Sequence, residues 1–122
     1  MKKILLVEDD QFLGPLLKAR LEKDGLAIVW VKNADEAFMA LKKERPDLIL
    51  LDIILPDKSG FEALAAVKAD PQMVGAPIVI LSNLGQEEDI AKGKQLGASD
   101  YLIKADYPSI DDLVVKIREF LK

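Results

Sequence analysis

The sequence predicts an α/β fold: a doubly wound parallel sheet of five strands, in the order 2-1-3-4-5, with helices on both faces. Two observations lead to this class: the chain has five short runs rich in Ile, Leu and Val, and stretches of amphipathic, helical character alternate with them. Such alternation favours a parallel sheet with right-handed crossovers, and five βα units fit the flavodoxin-like order. We expect one domain over residues 1–122.

Each predicted strand is a short apolar run, which is the pattern of parallel strands covered on both faces. Polar or turn-forming residues bound most of these runs. The runs cover residues 4–7, 26–31, 48–51, 78–81 and 101–103.

The first two predicted helices are marked by residues that favour helix ends. Asp10 caps a first helix that runs to about residue 24 and stops at Gly25. Pro15 stands late for a first turn, so an irregular start is expected. Asn33 and Glu36 have the spacing of a capping box, which predicts the start of the second helix.

The last three predicted helices follow similar signals. A third helix begins after Ser59, and a fourth runs from about residue 86 to residue 96, where Gly97 ends it. Ser109 is followed three residues later by Asp112, a spacing that resembles a capping box and predicts the last helix. Each predicted strand is therefore followed by a helix.

Composition excludes several classes of function. The 122 residues include 21 acidic and 17 basic side chains, a formal charge of −4, and half of the residues are hydrophobic. This balance is typical of a folded domain. The chain has no cysteine and no histidine, which excludes disulfides, thiol catalysis, Ser-His-Asp triads and most zinc sites. A bound cation therefore needs oxygen ligands, as Mg²⁺ and Ca²⁺ prefer.

Charge and hydropathy also bear on partners. The acidic balance and the lack of a basic run predict no direct contact with nucleic acid. No apolar run is long enough to span a bilayer, and the N-terminal Met-Lys-Lys-Ile lacks the apolar region of a signal peptide. We therefore expect no membrane partner and place the protein in the cytoplasm by default.

Polar side chains with chemical capability follow four of the five predicted strands. The set is Glu8 and Asp9 after the first strand, Asp52 after the third, Ser82 after the fourth and Lys104 after the fifth. In a doubly wound sheet the carboxyl ends of the strands border one crevice. Converging carboxylates raise each other's pKa values, and a divalent cation and the Lys104 ammonium are the natural compensation.

A free carboxylate beside a cation, a lysine and a hydroxyl suits phosphate chemistry. Mg²⁺ prefers one or two carboxylates together with phosphate oxygens, so one free carboxylate of this set could form an aspartyl phosphate by in-line attack. Without histidine, the chain has no phosphohistidine of its own, and the donor must be another protein or a small acyl phosphate. Taken singly, each residue has an ordinary explanation as a helix cap or a solvated charge. The combination carries the hypothesis.

Five segments, in this order and spacing, resemble one family over essentially the whole chain. They are ILLVEDD at 4–10, PDLILLDIILP at 46–56, SG at 59–60, PIVILS at 77–82 and GASDYLIK at 97–104. With them the chain resembles the receiver domain (CheY-like) of response regulators in two-component signalling. The resemblance implies a phosphorylated switch rather than an enzyme, one that catalyses only its own phosphorylation and slow dephosphorylation.

The resemblance also implies roles for residues of the crevice. Asp52 is the expected phosphoacceptor, and Lys104 is expected to pair with the phosphoryl oxygens. Mg²⁺ is expected to bind Asp9, Asp52 and the main-chain carbonyl of Ile54 directly, while Glu8 holds waters of the metal.

A switch and its partners follow from the same resemblance. Ser82 stands at the switch hydroxyl position, and Tyr101 at the aromatic position that turns inward when Ser82 moves toward the phosphoryl group. Asp10 resembles a helix cap, and Asp57 a turn residue. The expected donor is a sensor histidine kinase or a phosphotransfer protein. The expected readout is the face of the fourth helix, fifth strand and fifth helix. That face would bind a downstream protein, or the chain's own output domain if the sequence is truncated. The protein itself is expected to be a monomer or a phosphorylation-dependent dimer.

Several neighbours of the phosphoryl site depart from the family's usual pattern. Ala105 replaces the usual proline after Lys104, so the loop is either trans and reshaped or carries a cis bond that costs about 2.5–4 kcal/mol. Asn83 replaces a small residue and either crowds the phosphoryl group or adds a donor. Ile54 and Leu84 are apolar and cannot orient an attacking water, which predicts slow self-dephosphorylation.

Three other functions remain as alternatives. An interaction scaffold of the same fold needs none of Glu8, Asp9, Asp52, Ser82 and Lys104. A flavin-binding protein calls for a Ser-, Thr- and Gly-rich phosphate loop after the first strand, where this chain places three acids. An aspartate-nucleophile phosphatase calls for a second acid two residues after its nucleophile, where isoleucine stands.

Overall fold

The computed structural model describes residues 1–73 and 75–122. One parallel sheet has the order β2-β1-β3-β4-β5, which confirms the predicted fold class. Its strands are β1 (Lys3–Val7), β2 (Ala27–Val31), β3 (Leu48–Leu51), β4 (Ile78–Ser82) and β5 (Asp100–Ile103). Its helices are α1 (Leu13–Lys23), α2 (Ala34–Lys43), α3 (Gly60–Ala69), α4 (Glu87–Gln95) and α5 (Ile110–Glu119), with a short 3-10 helix at Lys104–Asp106.

The core consists of two apolar layers, one on each face of the sheet. Successive residues of a strand point to opposite faces, so Leu5 and Val7 enter one layer and Ile4 and Leu6 the other. Helices α2, α3 and α4 cover the first layer, and α1 and α5 cover the second. Burial on both faces explains the continuous apolar runs. Within the part of the chain that the structure describes, no helix has the length and apolar character needed to cross a bilayer.

Helix α1 begins three residues after its predicted cap. The Asp10 carboxylate accepts hydrogen bonds from the main-chain N–H groups of Phe12 (2.8 Å) and Leu13 (3.0 Å), but the capping position itself is Phe12, which makes no side-chain capping bond. Because the helix starts at Leu13, Pro15 lies in its first turn. There its missing N–H leaves no intrahelical bond unmade.

Helix α4 is the least anchored of the five. Only Gly93 is buried among its nine residues, Ile90 packs half-buried against the core, and the helix contacts β5. A Cβ atom at Gly93 would lie 2.6 Å from Ile80 Cδ1 and 3.1 Å from Tyr101 Cδ2. Gly93 therefore sets how closely α4 approaches the sheet.

Candidate functional site

The site lies where β1, β3, β4 and β5 end, and the strand register aligns its acidic residues. The main-chain N–H of Asp52 donates to the carbonyl of Val7 at 3.0 Å, and that of Glu8 donates to Val31 at the same distance. Both bonds extend the sheet ladder by one residue beyond the strands. Glu8 and Asp52 thus leave neighbouring parallel strands at the same edge of the sheet.

One ammonium joins the two buried carboxylates. Lys104 Nζ lies 2.7 Å from Glu8 Oε1 and 2.8 Å from Asp52 Oδ2. Glu8 and Asp52 are 1% and 6% exposed. The contact with Asp52 is a hydrogen bond, whereas Glu8 Oε1 has only the ion pair and no hydrogen bond of good geometry. When both carboxylates are ionised, one ammonium balances only one of them, so the cluster can accept a further positive charge.

Burial dominates the acid–base properties of the cluster. Desolvation raises the pKa of Glu8 to about 7, although the Lys104 ammonium opposes this shift and the charge of Asp52 adds to it. Burial lowers the pKa of Lys104, but its bonds to Asp52 and Glu8 outweigh that effect and raise it overall. Lys104 therefore stays charged at neutral pH, and Glu8 is the group that titrates there.

We predict that, in buffer free of divalent cations, the melting temperature falls as pH rises from about 5 to about 7.5. The folded state binds the Glu8 proton more tightly than the unfolded chain does, so stability is lost between the ordinary pKa of 4.5 and about 7. Backbone hydrogen bonds hold the pKa of Asp10 below 3.8, so its contribution changes outside this window. Calorimetry of Glu8→Gln is the check, because that variant should lack the decline. An equal decline in the variant would refute the assignment.

A common local geometry fixes three of the polar side chains at the strand ends. The second oxygen of Glu8 accepts from the N–H of Asp10 at 3.1 Å, and that of Asp52 accepts from Ile54 at 3.2 Å. The hydroxyl of Ser82, fully buried at the end of β4, accepts from the N–H of Leu84 at 3.3 Å. In every case the donor lies two residues farther along the chain, so each side chain is held by the loop it begins.

The predicted metal ligands are only partly brought together. Glu8 and Asp52 meet at Lys104, but Asp9 is exposed, and across residues 1–73 and 75–122 no three acidic side chains form a group able to hold a metal ion. Ile54 is 57% exposed, beside the carboxylate to which its N–H is bonded. The oxygen-only donors, the excess negative charge and Glu8 Oε1, which accepts no hydrogen bond, fit a hard cation such as Mg²⁺.

The predicted switch residues lie on neighbouring strands, Ser82 at the end of β4 and Tyr101 within β5. Tyr101 is 7% exposed, and its hydroxyl donates to the main-chain carbonyl of Leu84. Since the N–H of Leu84 is bonded to Ser82, the loop after β4 connects the hydroxyl of Ser82 to that of Tyr101. Asn83, between them, is exposed.

The loop after β5 contains no cis peptide bond. The Lys104–Ala105 peptide bond is trans, as are all peptide bonds of the described residues. Ala105 is exposed within the 3-10 helix that Lys104 begins. Of the two possibilities for this loop, the structure has the one without a cis bond.

Two residues that support the site were not identified from the sequence. Asp57, interpreted as a turn residue, accepts from the N–H groups of Ala34 and Asp35, each at 3.0 Å, and so ties the loop after β3 to the start of α2. The indole N–H of Trp30 donates to the carbonyl of Glu8 at 2.8 Å. Neither contact has a signal in local spacing, because each joins segments more than twenty residues apart.

Comparison with known proteins points in one direction. A family model described as response regulator receiver domain matches residues 4–118. The transcriptional regulatory protein CpxR of Escherichia coli (strain K12) is 39% identical over 123 residues, covering 100% of this chain and 50% of CpxR. The chain thus spans about half the length of the curated transcriptional regulators that it matches.

Solved structures agree. The BeF3-activated N-terminal receiver domain of Klebsiella pneumoniae RstA superposes with a TM-score of 0.87 at 34% identity, covering 99% of both chains. The Mn²⁺-bound form of response regulator Rcp1 superposes with a TM-score of 0.83 at 30% identity, covering 98% of this chain and 91% of that one. The chain therefore belongs to the family of response regulator receiver domains, the signalling switches of two-component systems.

Proposed function

We propose that Asp52 accepts a phosphoryl group from the phosphohistidine of a sensor histidine kinase or a phosphotransfer protein. The observation that carries this proposal is the Lys104 ammonium held between two buried carboxylates, 2.7 Å from Glu8 and 2.8 Å from Asp52. An ordinary ion pair needs only one acid and one base, whereas Lys104 is shared by two buried acids. A site that must neutralise an incoming phosphoryl group does need an ammonium kept charged and fixed in place.

The reaction uses few groups of the chain. A carboxylate oxygen of Asp52 attacks phosphorus in line, an O–P bond forms, and the P–N bond to the donor imidazole breaks. Lys104, already within 2.8 Å of Asp52, then pairs with the oxygens of the transferred group. The Ile54 N–H holds the Asp52 carboxylate in orientation at 3.2 Å. Burial of Asp52 limits access of water to the reacting atoms.

Mg²⁺ is the cofactor that this site suits. We assign Asp9, Asp52 and the Ile54 carbonyl as its ligands and Glu8 as the residue that holds its waters. When bound, Mg²⁺ supplies positive charge that neutralises oxygens of the phosphoryl group. The similar response regulator Rcp1 has a Mn²⁺-bound form, which supports a divalent cation in this fold.

We infer that phosphorylation is read through Ser82 and Tyr101. The hydroxyl of Ser82 is near the site, and the loop that it holds also binds the hydroxyl of Tyr101. A shift of Ser82 toward the phosphoryl group alters this loop and the face formed by α4, β5 and α5, which binds a downstream protein or an output domain. Gel filtration of the two forms distinguishes a monomer from a phosphorylation-dependent dimer.

The test is direct transfer. The protein is incubated with acetyl phosphate and Mg²⁺, or with a phosphorylated kinase, and intact mass is measured. A gain of one phosphoryl group, dependent on the divalent cation, is expected. Failure to gain mass from either donor would favour the alternative of a scaffold that is never phosphorylated. A yellow protein as purified would favour the flavin-binding alternative.

We predict that the phosphorylated form is long-lived. Ile54 is 57% exposed beside Asp52, and Leu84 is half-buried beyond Ser82. Neither side chain has a polar group to orient an attacking water. After removal of the donor, the phosphorylated mass should persist for minutes or longer in magnesium buffer, and Ile54→Asn should shorten that lifetime. Decay within seconds in the unsubstituted chain contradicts this prediction.

A further inference from the structure

Both main-chain polar groups of Glu8, its N–H and its carbonyl, are hydrogen-bonded to residues of β2. Its N–H donates to the carbonyl of Val31 at 3.0 Å, as the sheet ladder requires. Its carbonyl accepts from the indole N–H of Trp30 at 2.8 Å, a bond that is no part of any ladder. Since Glu8 is 1% exposed, fixing both main-chain groups also fixes the direction in which its side chain leaves the chain.

Helix α1 makes room for this indole. An ideal Cβ placed on Gly14 would lie 2.4 Å from Trp30 Cε2 and 2.5 Å from Trp30 Nε1, closer than side-chain carbons approach their neighbours. Gly14 is not among the glycines with positive φ, so its backbone conformation does not demand glycine. Glycine is required because the indole occupies the space that a side chain would need, and the indole atoms there include the nitrogen that donates to Glu8.

We propose that Trp30 is a positioning residue for the acidic site, and that Gly14 is its matched partner. Trp30 fixes the main chain of Glu8, which places one carboxylate oxygen on Lys104 and the other on the N–H of Asp10. This inference rests on the proposed function where it concerns Mg²⁺, because Glu8 is assigned to the waters of that ion. A Trp30 that only filled space between β2 and α1 would be replaceable by another aromatic ring.

Trp30→Phe and Gly14→Ala separate these two roles. The phenylalanine keeps a ring but removes the N–H, whereas the alanine keeps the N–H but pushes the indole from Glu8. Calorimetric titration with Mg²⁺ should show weaker binding in each variant, by at most about tenfold, the low end for loss of a group that contacts a metal ligand directly. The double variant should lose little more than either single one, because both break the same bond. Ile28→Val, in the same strand, is the control, with unchanged affinity.

Amide hydrogen exchange gives a second reading without metal. In Trp30→Phe the N–H of Asp10, bonded to Glu8, should exchange faster, while the N–H of Ile54, bonded to Asp52, should keep its protection. In the unsubstituted chain the single indole N–H should exchange slowly, and Gly14→Ala should remove that protection.

The outcomes separate this inference from the proposed function. If the unsubstituted chain binds no Mg²⁺, the assigned metal site is wrong, and the exchange of the Asp10 amide alone decides the role of Trp30. If the chain binds Mg²⁺ and both single variants bind it equally well with Asp10 still protected, Trp30 is packing only. Equal loss of protection at Asp10 and Ile54 overturns the inference too, because it indicates general loosening.

Discussion

Asp52→Asn is expected to abolish phosphoryl uptake from both acetyl phosphate and a kinase. The amide is not a nucleophile toward phosphorus, and it gives Lys104 a neutral partner in place of the carboxylate now 2.8 Å away. Asparagine has nearly the volume of aspartate, so the buried position stays filled. Intact-mass measurement after incubation with the donor and Mg²⁺ is the check.

The matched control for this result is Asp112→Asn. Asp112 is an exposed carboxylate of α5, far along the chain from the strand ends. It should take up one phosphoryl group as the unsubstituted protein does. Retained uptake in Asp52→Asn, with the circular dichroism of a folded domain, would move the phosphoacceptor to another residue.

The second large effect is expected from Lys104→Met. Loss of the ammonium leaves Glu8 and Asp52 buried without a cation, and removal of one partner from a buried pair typically costs roughly 3–5 kcal/mol of unfolding free energy. We expect about 3 kcal/mol at neutral pH, the lower end of that range, because Glu8 can take up a proton. Phosphoryl uptake should slow by about a hundredfold or more, as when a preorganised electrostatic donor is removed.

Urea unfolding at two pH values tests the cause of this loss. At about pH 5.5 Glu8 is mostly protonated in the folded protein, since its pKa is about 7, so the loss should be smaller than at pH 8. Lys58→Met is the control: Lys58 lies 3.6 Å from exposed Asp35, and such surface pairs contribute about 0–1 kcal/mol. A loss that is the same at both pH values would mean that Lys104 matters for packing rather than for charge.

The fold was predictable because its signals are local and repeated. Strands buried on both faces leave continuous apolar runs, and the consecutive residues Leu5 and Leu6 enter opposite core layers. The strand ends followed from the same pattern, since the apolar run stops where the chain reaches the crevice. Glu8, Asp52 and Lys104 were therefore brought together by topology alone, and the structure places both carboxylates within 2.8 Å of the ammonium.

The rest of the site depends on side-chain geometry that spacing does not encode. Asp9 follows Glu8 in sequence, yet successive residues leave the chain in different directions, and Asp9 is exposed where Glu8 is buried. The bonds of Trp30 to Glu8 and of Asp57 to α2 cross between segments whose distance is set only once the sheet forms. For the same reason the start of α1 was misplaced, because Asp10 bonds to donors that could equally belong to a turn.

The way α4 is seated, with Gly93 as its one buried residue, bears on which substitutions this helix tolerates. A helix that contributes a single buried glycine to the interior can exchange most of its outward side chains at a cost near ±0.5 kcal/mol each. Selection for a new recognition surface can therefore act on α4 almost free of the demands of folding. Such a helix should also be among the first to open in the native ensemble. The tolerance of α4 to substitution and its tendency to open locally then have one cause, which is the small number of buried side chains in this helix.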